Sequence, residues 1–397
     1  MKTTLLLLLL IFSFSTLALD YGIDRLEENE VHTLLDGKNL AVLTHAAARN
    51  KEGDHLIDLL FHSYTLEKIF APEHGLRSTA DDWVEDGVDG ATGLPVISLY
   101  KRARKAPTPE DLQGIDAIVI DLQDVGLRYY TYFSTIAEVM KVAGPNEVEV
   151  IILDRPNLLG GEIVEGRVLH PDLTGNFAAY YSLPTRHGMT LGEISQLINA
   201  EKNLMAKLSV IKVQGWNRDY LLDKMDRPWI APSPALPDIS HIAPYAMWGA
   251  LEHLNLAVGR GTTNENAFKV IGAPWISVDE SKLLAKELNG LRFKGVSFTP
   301  FSWNVTRAIY MGQVAHGVKM NATHEKIRTD EFIYKVSKTL HKLFKSRLKM
   351  DPMAIIGLGS PHMLNAIKSD VPWTEYVKEI EEDLGKFNQR RVPFLLY

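Results

Sequence analysis

Over its first half this sequence returns repeatedly to short runs that are apolar at every position, separated by amphipathic segments of helical period. Ala117-Ile118-Val119-Ile120 is one such run. A strand with apolar side chains on both faces needs cover on both, which a parallel sheet flanked by helices supplies. On that basis residues 40–44, 67–71, 95–99, 117–122, 147–153 and 207–212 read as strands. Residues 133–143 and 190–200 read as helices, the latter opening with Thr190 and Glu193 as a capping box. The alternation predicts an α/β fold with a Rossmann-like, doubly wound, mostly parallel sheet.

At 397 residues the chain exceeds one ordinary hydrophobic core, so two domains are expected. The rhythm changes after the proline-rich stretch 231–239, where glycine-rich and aromatic segments precede helical patterns at 330–344 and 374–387. The chain closes on Pro393-Phe394-Leu395-Leu396-Tyr397, which reads as a strand. We expect residues 1–18 to be a signal peptide, 19–238 a Rossmann-like domain and 239–397 a smaller, auxiliary α+β domain. The leader reading rests on Lys2, an apolar stretch of about 10 residues and the small residues of Ser15-Thr16-Leu17-Ala18. That stretch is half the roughly 20 residues a membrane span requires. An exported, periplasmic or extracellular protein is the resulting expectation, with no transmembrane segment in the mature chain.

The net charge of −6, with lysines and arginines scattered, provides no footprint for nucleic acid. The absence of cysteine excludes thiol chemistry and a disulfide framework. No GxSxG elbow, GxGxxG turn or HExxH pair occurs, which argues against a standard α/β-hydrolase, an NAD site and a zinc enzyme. No cofactor or metal is expected.

Ligands of open parallel sheets bind outside the carboxyl ends of the strands. The residues following the expected strands are Thr44-His45, Glu73-His74, Asp121 through Asp124, and Asp154-Arg155. Any one of these reads equally well as loop chemistry; several carboxylates at one sheet edge point to an acidic cleft, with Arg128 and Arg155 as counter-charges. Glu162, Glu165, Arg186 and His187 follow, the last three next to glycines or each other. Arg260, in Gly259-Arg260-Gly261, is a candidate contact for an anionic or polyhydroxylated ligand. Trp216, Trp229, Tyr245, Trp248 and Trp275 are candidates for stacking on sugar faces or for the core. Glycoside hydrolysis is the chemistry that asks for little beyond two positioned carboxyl groups. A non-catalytic envelope protein that binds muropeptides or amino sugars in the same cleft is the alternative.

The segments FAPEHGLR, GLPVISLY, IDLQDVGLRYYTY, DRPNLLGG, VEGRVL, LPTRHGMTLGE, VGRGTT, IGAPW and the final FLLY occur in this order. Together they resemble the exo-β-N-acetylmuramidase, or NamZ, family across residues 38–397. The resemblance implies a Rossmann-like catalytic domain, a smaller auxiliary domain and an active site between them. It implies release of terminal, non-reducing β-1,4-linked N-acetylmuramic acid from peptidoglycan fragments such as MurNAc-GlcNAc. It also implies Glu73 and Glu165 as the catalytic pair, with His74 tuning Glu73. Asp121, Asp124 and Arg128 would shape the sugar pocket, and Arg186 and His187 would meet the lactyl carboxylate. Ser78 and Lys101 stand where the family usually has glycine, and residues 176–179 and the surroundings of Glu252 also depart from its pattern.

Overall fold

The computed structural model describes residues 19–79, 85–102, 104–221, 227–258, 263–307, 309–322, 328–350 and 352–397. The expected leader, residues 1–18, and Arg260 lie outside the described residues.

The first half builds a seven-stranded sheet from β1 (Asn39–Thr44), β2 (Thr65–Ala71), β3 (Gly87–Val88), β4 (Pro95–Ser98), β5 (Ala117–Asp121), β6 (Glu149–Leu153) and β7 (Leu208–Ile211). Their order is β3-β4-β2-β1-β5-β6-β7, parallel throughout except for the short edge strand β3. The chain therefore winds outward from β1 in one direction and from β5 in the other. The switch point lies between those two strands, where Thr44 pairs with Asp121.

Helices α1 (Asn29–Leu35) and α2 (Leu56–Ser63) cover one face, and α3 (Tyr132–Ala143) and α4 (Leu191–Lys202) the other. Alternate residues of β1 divide between them: Leu40 and Val42 pack with Leu35, Leu56 and Leu60, while Ala41 and Leu43 pack with Ile136, Met140 and Ile194. This explains why the strands are apolar at every position. Thr190 caps α4, accepting from Glu193 N while Glu193 accepts from Thr190 N, the capping box expected there.

The second, smaller domain carries an antiparallel sheet of β8 (Ala257–Val258), β9 (Val270–Ala273), β10 (Val296–Asn304) and β11 (Val314–Ala322), in the order β10-β11-β9-β8. Around it lie α5 (Ile242–Trp248), α6 (Val278–Gly290), α7 (Thr329–Phe344), α8 (Pro352–Leu358), α9 (Pro361–Lys368) and α10 (Trp373–Arg391). The core on the α3/α4 face continues without a break into Trp248, Phe298 and Phe332 of this domain.

The chain end is not the strand expected. Residues Val392–Phe394 form a 3-10 turn, and Tyr397 returns to the first domain, where its ring meets Trp216 edge-on at 5.0 Å. Pro393 has no N–H to offer a ladder, and the apolar side chains find cover against an existing surface instead.

Candidate active site

β2 delivers its polar continuation through a tight turn. Pro72 ends the strand, and His74, Gly75 and Ser78 all have left-handed backbones, with φ of 70°, 74° and 53°. For the two residues with a Cβ this is a strained conformation. At Ser78 the left-handed backbone is one that a glycine would adopt without strain.

The turn presents Glu73 and His74 to a cavity of about 450 Å³ outside the carboxyl ends of the strands. One wall comes from the first domain: Glu73, His74, Tyr100, Lys105, residues 129–132 and residues 176–178. The other comes from the segment 233–236 and the second domain, with Tyr245, Glu252, His253, Phe268 and Gly357 among its members. The hydroxyl of Thr131, the N-cap residue of α3, donates to the Glu73 carboxylate. Glu73 is only 7 % exposed, so this carboxyl group is held in place and largely dried.

Beneath it, His45 ties together the loops after three strands. Its Nε2 accepts from Gln123 N at 2.9 Å, its Nδ1 lies 3.4 Å from Ser78 Oγ, and its ring meets Tyr132 edge-on at 5.3 Å. Burial pushes its pKa well below the ordinary histidine value, and the Arg155 charge adds to the effect. His45 is therefore a neutral strut.

The loop 128–132 is docked onto the second domain by its own side chains. Arg128 donates to Ile356 O and Gly357 O, each at 2.9 Å, at the C-terminal end of α8. Tyr129 donates to Tyr245 O at 3.2 Å and Ala246 O at 2.9 Å in α5, and Tyr132 to Pro232 O at 2.7 Å. The Ile356, Gly357 and Ala246 carbonyls belong to the last turns of their helices, where such groups are left open.

Of the charged and polar candidates from sequence that are described, Glu73 and His74 line the cavity, while Glu165, Asp121, Asp124, Arg128, Arg186 and His187 are not among its lining residues. Glu165 is 4 % exposed, accepts from Thr329 N and Oγ1 at 3.2 and 2.9 Å, and faces Arg186 at 3.5 Å. Burial raises its pKa, and the Arg186 charge opposes that rise. Glu165 therefore does not line the cavity that Glu73 faces, and the second carboxylate on its wall is Glu252. Arg186 also donates to Leu159 O, and its backbone pairs with that of Glu165. Asp121 forms a buried ion pair with Arg155, with Arg155 Nη2 3.1 Å from Oδ2. Asp124 accepts from Gly126 N at 2.6 Å, and His187 accepts from Met189 N at 3.2 Å. Arg128 has its two carbonyls.

These charges are engaged with partners inside the loops. The glycine after Glu165 belongs to the same scaffold: at φ 88° a Cβ on Gly166 would sit 2.3 Å from Thr185 Cβ. Of the aromatic candidates Tyr245 reaches the cavity, Trp216 and Trp248 are core, Trp229 lines a separate cavity, and Trp275 packs on Phe344. Lys105, Thr131 and the wall position of Glu252 were not assigned from sequence. A basic residue just after the fourth strand and a threonine ahead of a helix were the available signals.

Fold and site define a two-domain α/β protein whose main cavity gathers carboxylates, histidines and tyrosines at the switch point of a parallel sheet. The family model described as exo-beta-N-acetylmuramidase NamZ, N-terminal, matches residues 40–240, and its C-terminal counterpart matches residues 243–397. The chain belongs to the NamZ family, and is a glycosidase. It is 35% identical over 374 residues to the peptidoglycan beta-N-acetylmuramidase NamZ of Bacillus subtilis (strain 168), covering 91% of this chain and 88% of that one. Two crystal structures of DUF1343 family proteins from Bacteroides fragilis NCTC 9343 share the fold. One has a TM-score of 0.83 at 29% identity, the other 0.75 at 24%; each match covers 96% of this chain and 99% of the other.

Proposed function

We propose that this protein releases terminal, non-reducing β-1,4-linked N-acetylmuramic acid from peptidoglycan fragments such as MurNAc-GlcNAc, using carboxylates in the cavity between its domains. The observation that carries this reading is the placement of Glu73: dried, held by Thr131 and aimed into the cavity outside the carboxyl ends of the strands. The activity printed for the Bacillus subtilis relative supports the substrate. In this reading Glu73 protonates the leaving glycosidic oxygen, with His74 beside it. Glu252, across the cavity, is the second carboxyl group, serving as base or electrostatic partner. Tyr129 and Tyr245 give the sugar an aromatic wall.

The same reading places the protein outside the cytoplasm, with residues 1–18 as its signal peptide; fractionation of expressing cells tests that. For the activity, purified protein is given a chromogenic β-N-acetylmuramide and MurNAc-GlcNAc, and release of aglycone and of free N-acetylmuramic acid is followed. Glu73→Gln is expected to lose roughly a thousandfold or more in kcat. Saturable sugar binding with no product would establish the binding-protein alternative instead.

A further inference from the structure

We propose that Thr131 is a positioning residue for the hydrolysis, acting through Glu73 by fixing which oxygen carries the proton and stabilising the charge left behind. This rests on the muramidase reading above, in which Glu73 is the acid.

A threonine or serine directly ahead of a helix ordinarily turns its side-chain oxygen to the helix and accepts from an open N–H of the first turn. Thr190 does so for α4 and Ser277 for α6, accepting from Glu193 N and Glu280 N. Thr131 stands at the same place ahead of the 12-residue α3, and its side chain makes no such bond. Its backbone, at φ −88° and ψ 3°, also lies outside the extended conformation that Thr190 and Ser277 adopt, with ψ of 169° and 165°. The hydroxyl instead reaches a residue 58 positions earlier in the chain, donating to Glu73 Oε2. Both residues line the cavity. Helix α3 thus forgoes a stabilising cap and the site gains a hydrogen bond, a local departure of the kind that functional sites carry.

The neighbours of Thr131 fix where its hydroxyl stands. Tyr129 is tied to the Tyr245 and Ala246 carbonyls and Tyr132 to the Pro232 carbonyl. In the reaction the Glu73 proton passes to the glycosidic oxygen as the bond from C1 to that oxygen breaks, the electron pair staying with the oxygen. Glu73 is left as a carboxylate. A hydroxyl donates more strongly to a carboxylate than to a carboxylic acid, so the Thr131 bond tightens as the proton leaves. With Oε2 accepting from Thr131, the proton sits on Oε1. One oxygen is the anchor and the other the acid.

The test compares Thr131→Val, Thr131→Ala and Thr131→Ser with the wild type on MurNAc-GlcNAc and on a nitrophenyl β-N-acetylmuramide. Valine and alanine should each lower kcat on MurNAc-GlcNAc by about 10- to 100-fold with KM held within about threefold, and serine should recover most of the loss. The fall should be smaller on the nitrophenyl muramide, whose leaving group needs little protonation. Tm should stay within about 2 °C of wild type, because no cap is removed. In a Glu73→Gln background Thr131→Val should cost nothing further, since both changes act on one carboxyl group. A lowered Tm with kcat retained would make Thr131 structural and overturn the proposal. Losses that multiply in the double variant, or that are equal on the two substrates, overturn it as well, and all three outcomes leave the muramidase reading standing. A wild type that releases no N-acetylmuramic acid, or Glu73→Gln turning over at the wild-type rate, sinks that reading and the role of Thr131 with it.

Discussion

His187 Nε2 lies 3.9 Å from Asp124 Oδ1, and both side chains are buried. Burial dominates for each, pushing Asp124 up to about 7 and His187 down to about 3. The Arg391 and Arg186 charges add to the effect on His187, while the Gly126 and Val125 amides oppose the rise at Asp124. Near pH 5 the folded pair thus holds one proton, on the aspartate, and the unfolded pair also holds one, on the histidine. Taken alone, Asp124 makes stability fall as pH rises from about 4 to 7, because the folded state binds the extra proton. Taken alone, His187 makes stability rise from about pH 3 to 6.5, because the unfolded state binds it. The slopes oppose each other between about pH 4 and 6.5. Denaturant titrations at the two ends of that window should show stability rising with pH in Asp124→Asn and falling in His187→Gln, relative to the wild type. Identical pH profiles in all three proteins would rule this assignment of the proton out.

Glu73 and Glu165 should separate catalysis from stability. Glu73→Gln keeps a partner for the Thr131 hydroxyl, so its Tm should stay close to wild type while turnover collapses. Glu165→Gln leaves the buried Arg186 charge without its carboxylate, a loss that costs about 3–5 kcal/mol in sites of this kind. Its folded fraction should retain kcat within a few fold. Thermal melts read alongside active-fraction kinetics check both; a stable but inactive Glu165→Gln would return that residue to the chemistry.

Arg128 joins the loop that supplies Tyr129 to Tyr132 to the end of α8. Arg128→Leu strands two buried carbonyls, at about 1–3 kcal/mol for each unsatisfied group. The cavity wall loosens with them, so KM should rise more than kcat falls. Arg128→Lys should recover little, because a single ammonium cannot match the planar fork that reaches both carbonyls. Full recovery by lysine would show that charge alone matters at this helix end.

The parallel sheet was legible because its strands are apolar on both faces: Leu40 and Val42 face one core, Ala41 and Leu43 the other. The position of Glu73 was legible too, since Pro72 must end β2 and a polar pair then meets the sheet edge. What the spacing does not carry is whether a charge faces the cavity or is paired inside the scaffold. Glu165, Arg186, Asp121 and Arg155 pair with each other across loops distant in sequence, and their spacing carries no sign of that. Glu252 became a wall residue only through the docking of the second domain on residues 128–132. That docking depends on carbonyls at helix ends, which no side-chain pattern announces.

The chain end gives the last test. Tyr397 donates to Asp154 Oδ2 at 2.8 Å and accepts from Val213 N at 2.9 Å, while Leu396 N donates to Glu193 at 2.8 Å. Asp154 also accepts from Thr190 Oγ1 and Gly192 N, at the start of α4, so the terminal tyrosine completes the seat of that helix. Burial raises Asp154 to about 6, with the Tyr397 hydroxyl among the donors that oppose the rise. Removing that hydroxyl in Tyr397→Phe should therefore raise the Asp154 pKa further and leave the Val213 amide unmet, costing about 1–3 kcal/mol. A carboxyl group whose folded pKa lies above its unfolded value loses stability as pH rises between the two. The Tyr397→Phe deficit should accordingly be larger at pH 8 than near pH 5, as read by denaturant midpoints at both. A deficit equal at the two pH values would mean that the tyrosine acts through its ring against Trp216 and not through Asp154.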